Sequence, residues 1–200
     1  MSYPYPFNRH QRNKQVDYLN YYYFQEAFTP EEIQEIIQIG ENLELYNGMI
    51  GGGDNTENLD YRRSKIAFIE PDEDSQWLFD KLAEYAIIAN DNMWNFDLSD
   101  FGDDIQYTTY LGDNSGHYDW HTDVGESVCN RKLSMVLQLS SEEEYEGGNV
   151  QLNVGHNVMN FGKEIGDLYI FPSFVLHRVT PVVSGVRRSL VSWIAGPNLK

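Results

Sequence analysis

A mainly β protein with flanking helices, built as a jelly roll or related barrel, is the fold class this chain predicts, and three observations predict it. Two helix signatures stand before Asp104. Beyond it, short β-rich runs recur between turn signals with no further helical period, and the composition is that of a chain that builds a core. Hydrophobic residues make up 41% and aromatics 14%, with 22% charged, so wholesale disorder is excluded. Two hundred residues fall in the range of one compact domain. The expected division is an arm over 1–20, a helical support region over 21–100 and a β core over 101–200.

The first helix is announced by Thr29-Pro30-Glu31-Glu32: Thr as N-cap, Pro at the first helical position and Glu32 closing a capping box. Ile33, Ile36, Ile37 and Leu43 then form its apolar stripe. Asn47-Gly48 and Gly51-Gly52-Gly53 mark a turn and a loop that runs through Asp60 and borders a binding site, ahead of a strand over Lys65 to Glu70. A second helix starts near Asp74 or Ser75 and reaches about Asn92, with Trp77, Leu78, Leu82, Tyr85, Ile88 and Ala89 on one side. The β series follows: 105–111, 118–122, 132–139, 150–152, 167–171, 175–179 and 187–195. The acidic run Glu142 to Glu146 with Gly147-Gly148 reads as a solvated hairpin turn, and the aromatic stretch Tyr18 to Phe24 as packing.

Charge narrows the function classes. Asp plus Glu number 31 against 14 Lys plus Arg, a formal charge of -17, which opposes a broad footprint on nucleic acid or an anionic membrane. Met1 to Gln15 lacks the apolar core of a signal peptide, and no stretch approaches the 18 apolar residues of a membrane span, so a cytoplasmic protein is expected. The one cysteine, Cys129, has no partner for a disulfide or a metal knuckle.

Of five histidines, His121-Thr122-Asp123 places an imidazole and a carboxylate two residues apart, a spacing that on a strand turns both to one face. A third ligand from a distant strand would complete two His and one carboxylate, a set that suits Fe(II) and leaves coordination positions open. His177, at the end of the apolar run from Gly166 to Leu176, is the natural candidate. His117-Tyr118-Asp119 has the same spacing, so on spacing alone two pairs compete.

Gln106 to Tyr110, Tyr118 to Asp123, Glu146 to Val150, and His177-Arg178-Val179-Thr180-Pro181-Val182 with Gly185 and Arg187 together resemble the prolyl 4-hydroxylase-like branch of the Fe(II)/2-oxoglutarate dioxygenases, small microbial and phage-type members included. That family carries an aromatic three residues before its metal histidine, which fits Tyr118 with His121. The resemblance therefore implies His121, Asp123 and His177 as catalytic metal ligands, leaving His117 and Asp119 near the mouth of the barrel. It implies a double-stranded β-helix of the jelly-roll, cupin-like kind. The implied reaction is Fe(II)- and 2-oxoglutarate-dependent hydroxylation of an unactivated C–H bond, with release of succinate and CO2 and with ascorbate as an accessory. A prolyl residue of a peptide or protein is the first substrate implied, a free amino acid or other small molecule the next.

Arg187, ten residues after His177 where the family has its Lys or Arg, would hold the distal carboxylate of 2-oxoglutarate. Arg188 is its rival, and strand alternation turns only one of them inward; if Arg187, then also Ser189, Val191 and Trp193. By similarity Tyr110 would add a hydroxyl to the co-substrate. The expected partners are thus 2-oxoglutarate, O2 and the substrate, with no nucleic acid and no membrane. The competing readings are a non-catalytic jelly-roll binding or structural module, against which an intact Arg187 argues, and a Zn(II) hydrolase on the same ligands.

Overall fold

The computed structural model describes residues 21–49, 57–125, 128–155 and 157–198. The expected arm over 1–20, most of the loop from Gly51 to Asp60, and His10 and His156 lie outside them.

Helix α1, Pro30–Glu41, begins as the sequence dictates. Thr29 Oγ1 accepts the Glu32 amide at 3.3 Å, and Glu32 Oε2 accepts the Thr29 amide at 2.8 Å. Lys81 of α2, Gln76–Met93, donates to the same Glu32 carboxylate at 2.6 Å, so the cap also ties the two helices together. The face α2 buries is Leu78, Phe79, Leu82, Ala86, Ala89 and Asn90. This differs from the expected stripe: Ile88 is exposed, as is Leu43, which lies past the end of α1. Residues 78, 79, 82, 86 and 89 keep helical spacing on one side, whereas 88 falls off it.

Among the described residues thirteen strands form two antiparallel sheets, a jelly roll with both helices against one of them. The larger sheet runs β1 (Tyr22–Phe24), β11 (Leu168–Pro172), β7 (Arg131–Gln138), β13 (Val182–Ala195), β5 (Ile105–Leu111), β4 (Lys65–Ile69), β2 (Tyr46–Asn47), with β8 (Tyr145–Gly147) on the early part of β13. The smaller runs β10 (Val158–Asn160), β9 (Val150–Asn153), β12 (Leu176–Val179), β6 (His117–His121), β3 (Arg62–Arg63). Strands β1, β2, β3, β8 and β10 are two or three residues each, too short to leave a period in the sequence.

Alternation on β7 explains the layering. Leu133, Met135 and Leu137 join Ile33, Ile36, Leu78 and Leu82 in the core beneath the helices. Ser134, Val136 and Gln138 face the opposite way, into the space between the sheets, where Val150, Leu152, Phe171 and Val179 form a second core. Each fully buried Leu or Ile contributes about 1.5–3 kcal/mol, and the first cluster is what holds the inner face rigid. Among the described residues no helix is long and apolar enough to cross a membrane.

The expected hairpin at 142–148 is not one. Strands β7 and β8 do not pair with each other; both pair with β13, at 189–195 and 182–185. Gly147 and Gly148, at φ +77° and +59°, instead carry the chain from β8 to β9 in the other sheet. A Cβ on Gly147 would collide with the Pro181 carbonyl oxygen. Gly147→Ala is therefore expected to destabilise the protein by about 2–5 kcal/mol, combining left-handed backbone strain with overpacking; a thermal melt unchanged from the parent would refute this.

Candidate metal centre

Three side chains from three places in the chain meet between the sheets. His121 ends β6, His177 lies on β12 directly opposite it in register, and Asp123 sits two residues past β6. The expectation that one strand carries both His121 and Asp123 thus needs correction, because β6 stops at His121. Asp123 is brought back by its amide, which donates to the Ser173 carbonyl at 2.9 Å, while Thr122 turns out to solvent. Asp123 Oδ1 is 3.7 Å from His121 Nε2, and Oδ2 is 3.4 Å from His177 Nε2. All three ligand atoms lie within 4.8 Å of one another, the one such group of His, Cys, Asp and Glu found among the described residues.

Hydrogen bonding sets the form of each group. His121 Nδ1 lies 2.7 Å from the Asp119 carbonyl and His177 Nδ1 2.9 Å from the Val175 carbonyl. A carbonyl can only accept, so both Nδ1 atoms carry a proton and both Nε2 atoms face Asp123. Burial, and after it the neighbouring His177, push the His121 imidazole below its ordinary range, so it is neutral at pH 7. Burial alone would raise the Asp123 carboxyl, but the two imidazoles and the Ser134 hydroxyl, which donates to Oδ2 at 2.6 Å, outweigh it and hold it low. Two imidazoles and a carboxylate are the donor set of a divalent cation site. Tyr118 stacks on His121 with centroids 3.5 Å apart, and Phe171 meets His177 edge-on, which fixes both rings.

Ser134 went unnoticed in the sequence, although alternation along the 132–139 run could have placed it inward with Gln138. Its hydroxyl orients Asp123 and lies 3.0 Å from that of Ser173. Ser134→Ala is expected to weaken divalent-metal affinity by about 10- to 100-fold with the fold intact, the usual effect of losing a partner that orients a ligand; metal titration checks it, and an unchanged affinity would count against the site.

Arg187 lies on the inner face, 1% exposed, and Arg188 faces out to Glu41 at 3.0 Å. Arg187 Nη1 donates to Ser189 Oγ and Nη2 to Gln138 Oε1, both at 3.1 Å; its Nε–H has no partner. No carboxylate lies within ion-pair distance of it among the described residues. The position where a Gly148 Cβ would sit is 3.0 Å from Arg187 Cδ, so the diglycine crossing lies against the arginine stem. Tyr110, 3% exposed and across from Arg187 in register, has its ring 5.5 Å from the guanidinium carbon. Burial keeps its hydroxyl above the usual range and hence protonated. Ser189 and Trp193 are buried as alternation expects, while Val191 is only partly so. His117 and Asp119 stand apart, half-buried: the His117 ring bridges the carbonyls of Ser115 and Asp60, and Asp119 accepts the Trp120 amide.

A jelly roll whose interior joins a two-histidine, one-carboxylate cluster to an arginine without a counter-ion defines a class, proteins fitted to hold a divalent cation beside an organic anion. Residues 105–195, the β-rich segment that carries every one of these side chains, match the family model of the 2OG-Fe(II) oxygenase superfamily. A PKHD-type hydroxylase of Colwellia psychrerythraea is 38% identical over 90 residues, covering 45% of this chain and 40% of the relative's own length. Among solved structures, a Trichoplax adhaerens prolyl hydroxylase in complex with a hypoxia-inducible-factor peptide fragment superposes with a TM-score of 0.78 at 19% identity, over 91% of this chain and 86% of that one. A Pseudomonas putida prolyl-4-hydroxylase gives 0.70 at 20%, over 90% and 94%. At these identities the superpositions establish the shared fold.

Proposed function

We propose that the protein is an Fe(II)- and 2-oxoglutarate-dependent dioxygenase that hydroxylates an unactivated C–H bond, with a prolyl residue of a peptide or protein as the first substrate class. One observation carries the reading: among the described residues the guanidinium of Arg187 is buried without a counter-ion, on the same inner face as a donor set made for a divalent metal. An unpaired buried charge costs several kcal/mol. It is tolerated where a ligand supplies the missing anion, and the distal carboxylate of 2-oxoglutarate is such an anion. The superfamily match supports the same metal and co-substrate, and the names of the relatives and of the solved prolyl hydroxylases support the substrate class.

On this reading His121, Asp123 and His177 hold Fe(II), and Arg187 with Ser189 and Tyr110 holds the co-substrate. When bound, metal and co-substrate together supply the activation of O2, coupled to loss of CO2 and formation of succinate, that places one oxygen atom in a C–H bond. The chain's own part is positional. The carbonyls of Asp119 and Val175 keep both imidazole lone pairs directed at one point. Ser134 keeps the Asp123 carboxylate turned to the same point. Phe171, Leu152, Val136 and Val179 surround the site with apolar surface that excludes water. Tyr110 remains a neutral donor beside Arg187.

The test is anaerobic reconstitution with Fe(II) and 2-oxoglutarate, followed by air. A weak visible charge-transfer band and then succinate are expected from the parent and from neither His121→Ala nor Asp123→Ala. Their absence from well-folded, iron-loaded parent protein would make a binding module the better account.

A further inference from the structure

A cavity of about 480 Å³ is walled by Phe96, Val124 and Phe174, with Arg131, Lys132 and Asn198 as its polar lining, and two of its walls adjoin the segments that carry Asp123. Val124 directly follows Asp123, and Phe174 directly follows Ser173, whose carbonyl holds the Asp123 amide. The two cations differ. Arg131 is spoken for: its Nε donates to Asp103 at 3.0 Å, its Nη1 to the Asp123 carbonyl at 3.3 Å, and its guanidinium lies over the Trp193 ring. Lys132 is 5% exposed, and its Nζ is buried with no hydrogen-bond partner among the described residues. A buried amine without an acceptor is among the least favourable arrangements a chain can hold, so it calls for an explanation.

Its place along β7 supplies one. The inward residues of that strand are, in order, Lys132, Ser134, Val136 and Gln138. Gln138 accepts from Arg187, and Ser134 donates to Asp123. The proposed co-substrate anchor and the metal ligands are thus four residues apart, roughly 13 Å of strand, and Lys132 lies two residues, about 7 Å, beyond the metal ligands on the other side. On the dioxygenase reading co-substrate would lie between the metal ligands and Arg187, which leaves the side where Lys132 stands for the molecule to be oxidised.

We propose that Lys132 is a specificity determinant that receives a carboxylate of the substrate, one held within a few bonds of the carbon to be hydroxylated. The proposal rests on the dioxygenase reading and narrows its substrate to an anion. A carboxylate supplies the acceptor the ammonium lacks, and beside the apolar walls of Phe96, Val124 and Phe174 the pair is less screened than in bulk water. Apolar atoms of the substrate would lie on Phe96, Val124 and Phe174, orienting it toward the metal side. Two sources share this chemistry, the α-carboxylate of a free imino acid and an acidic side chain next to proline in a peptide.

The test uses full-length protein, 15N-labelled at lysine, loaded with Zn(II) and 2-oxoglutarate. It is titrated with L-proline against L-prolinamide, and with a blocked Gly-Pro-Asp-Gly peptide against its Asn twin, while the Lys132 ammonium signal is followed. At least one carboxylate probe is expected to bind tenfold or more tightly than its amide twin, and Lys132→Met is expected to erase that difference while leaving 2-oxoglutarate affinity unchanged. Discrimination in the proline pair assigns the carboxylate to a free imino acid; discrimination in the peptide pair assigns it to an acidic side chain. No discrimination in either pair, or discrimination that survives in Lys132→Met, overturns the proposal. Failure of 2-oxoglutarate to bind the parent, read by calorimetry on the same sample, would instead overturn the dioxygenase reading on which it stands.

Discussion

Arg187→Met is expected to weaken 2-oxoglutarate binding by roughly 30- to 5,000-fold, the range set by the 2–5 kcal/mol lost when one partner of a buried, hydrogen-bonded charge pair is removed. The ligand-free protein should respond in the opposite direction. Without an anion, Arg187 is a buried cation held by two neutral acceptors, Ser189 Oγ and Gln138 Oε1, with its Nε–H unpaired. Methionine keeps most of the stem against Gly148 and removes the charge, so the apo variant should melt no lower than the parent, and replacement of buried ionic groups by apolar ones often stabilises. What disappears is the rise in melting temperature on adding 2-oxoglutarate, since that rise is binding energy expressed as stability. A variant that melts far below the parent without ligand, yet keeps the ligand-induced rise, would show Arg187 to be a core residue and the anion site to be elsewhere.

Much of this arrangement was legible because it rests on strong local rules. Thr29 to Glu32 fixes the start of α1 whatever packs on it, and the seven expected β runs all fall on strands because period-2 alternation is strong where one face is buried. Arg187 and Arg188 part to opposite faces for the same reason. What escaped was tertiary. Asp123 is held by Ser173 and Ser134, residues 50 and 11 positions away, and no spacing rule reports such contacts. The diglycine looked like a hairpin because adjacent glycines after an acidic turn usually are one; only the pairing of β7 and β8 with the same strand, β13, shows that it crosses between sheets. Lys132 left no signal, since a lysine at the start of a strand reads as an edge charge until its burial is seen.

Asp123→Ala is expected to abolish metal-dependent turnover and to cost more than either imidazole's supporting contact. The carboxylate is the one anionic donor of the candidate site, 8% exposed, and both histidine Nε2 atoms face it. Removing it leaves a divalent cation with two neutral ligands in a poorly screened interior, where charge compensation matters most. It also leaves the Ser134 hydroxyl without its strongest acceptor, although Ser173 Oγ remains 3.0 Å away to take over. Because the backbone bond from the Asp123 amide to the Ser173 carbonyl does not need the side chain, the loop should keep its course and the fold should survive. Asp123→Asn separates charge from shape: the amide can still accept from Ser134, so the metal-free variant should melt close to the parent while metal binding falls nearly as far as in Asp123→Ala. Metal titration with paired melts reads both quantities. If Asp123→Asn bound metal like the parent, the negative charge would be dispensable and the two imidazoles alone would have to account for the site.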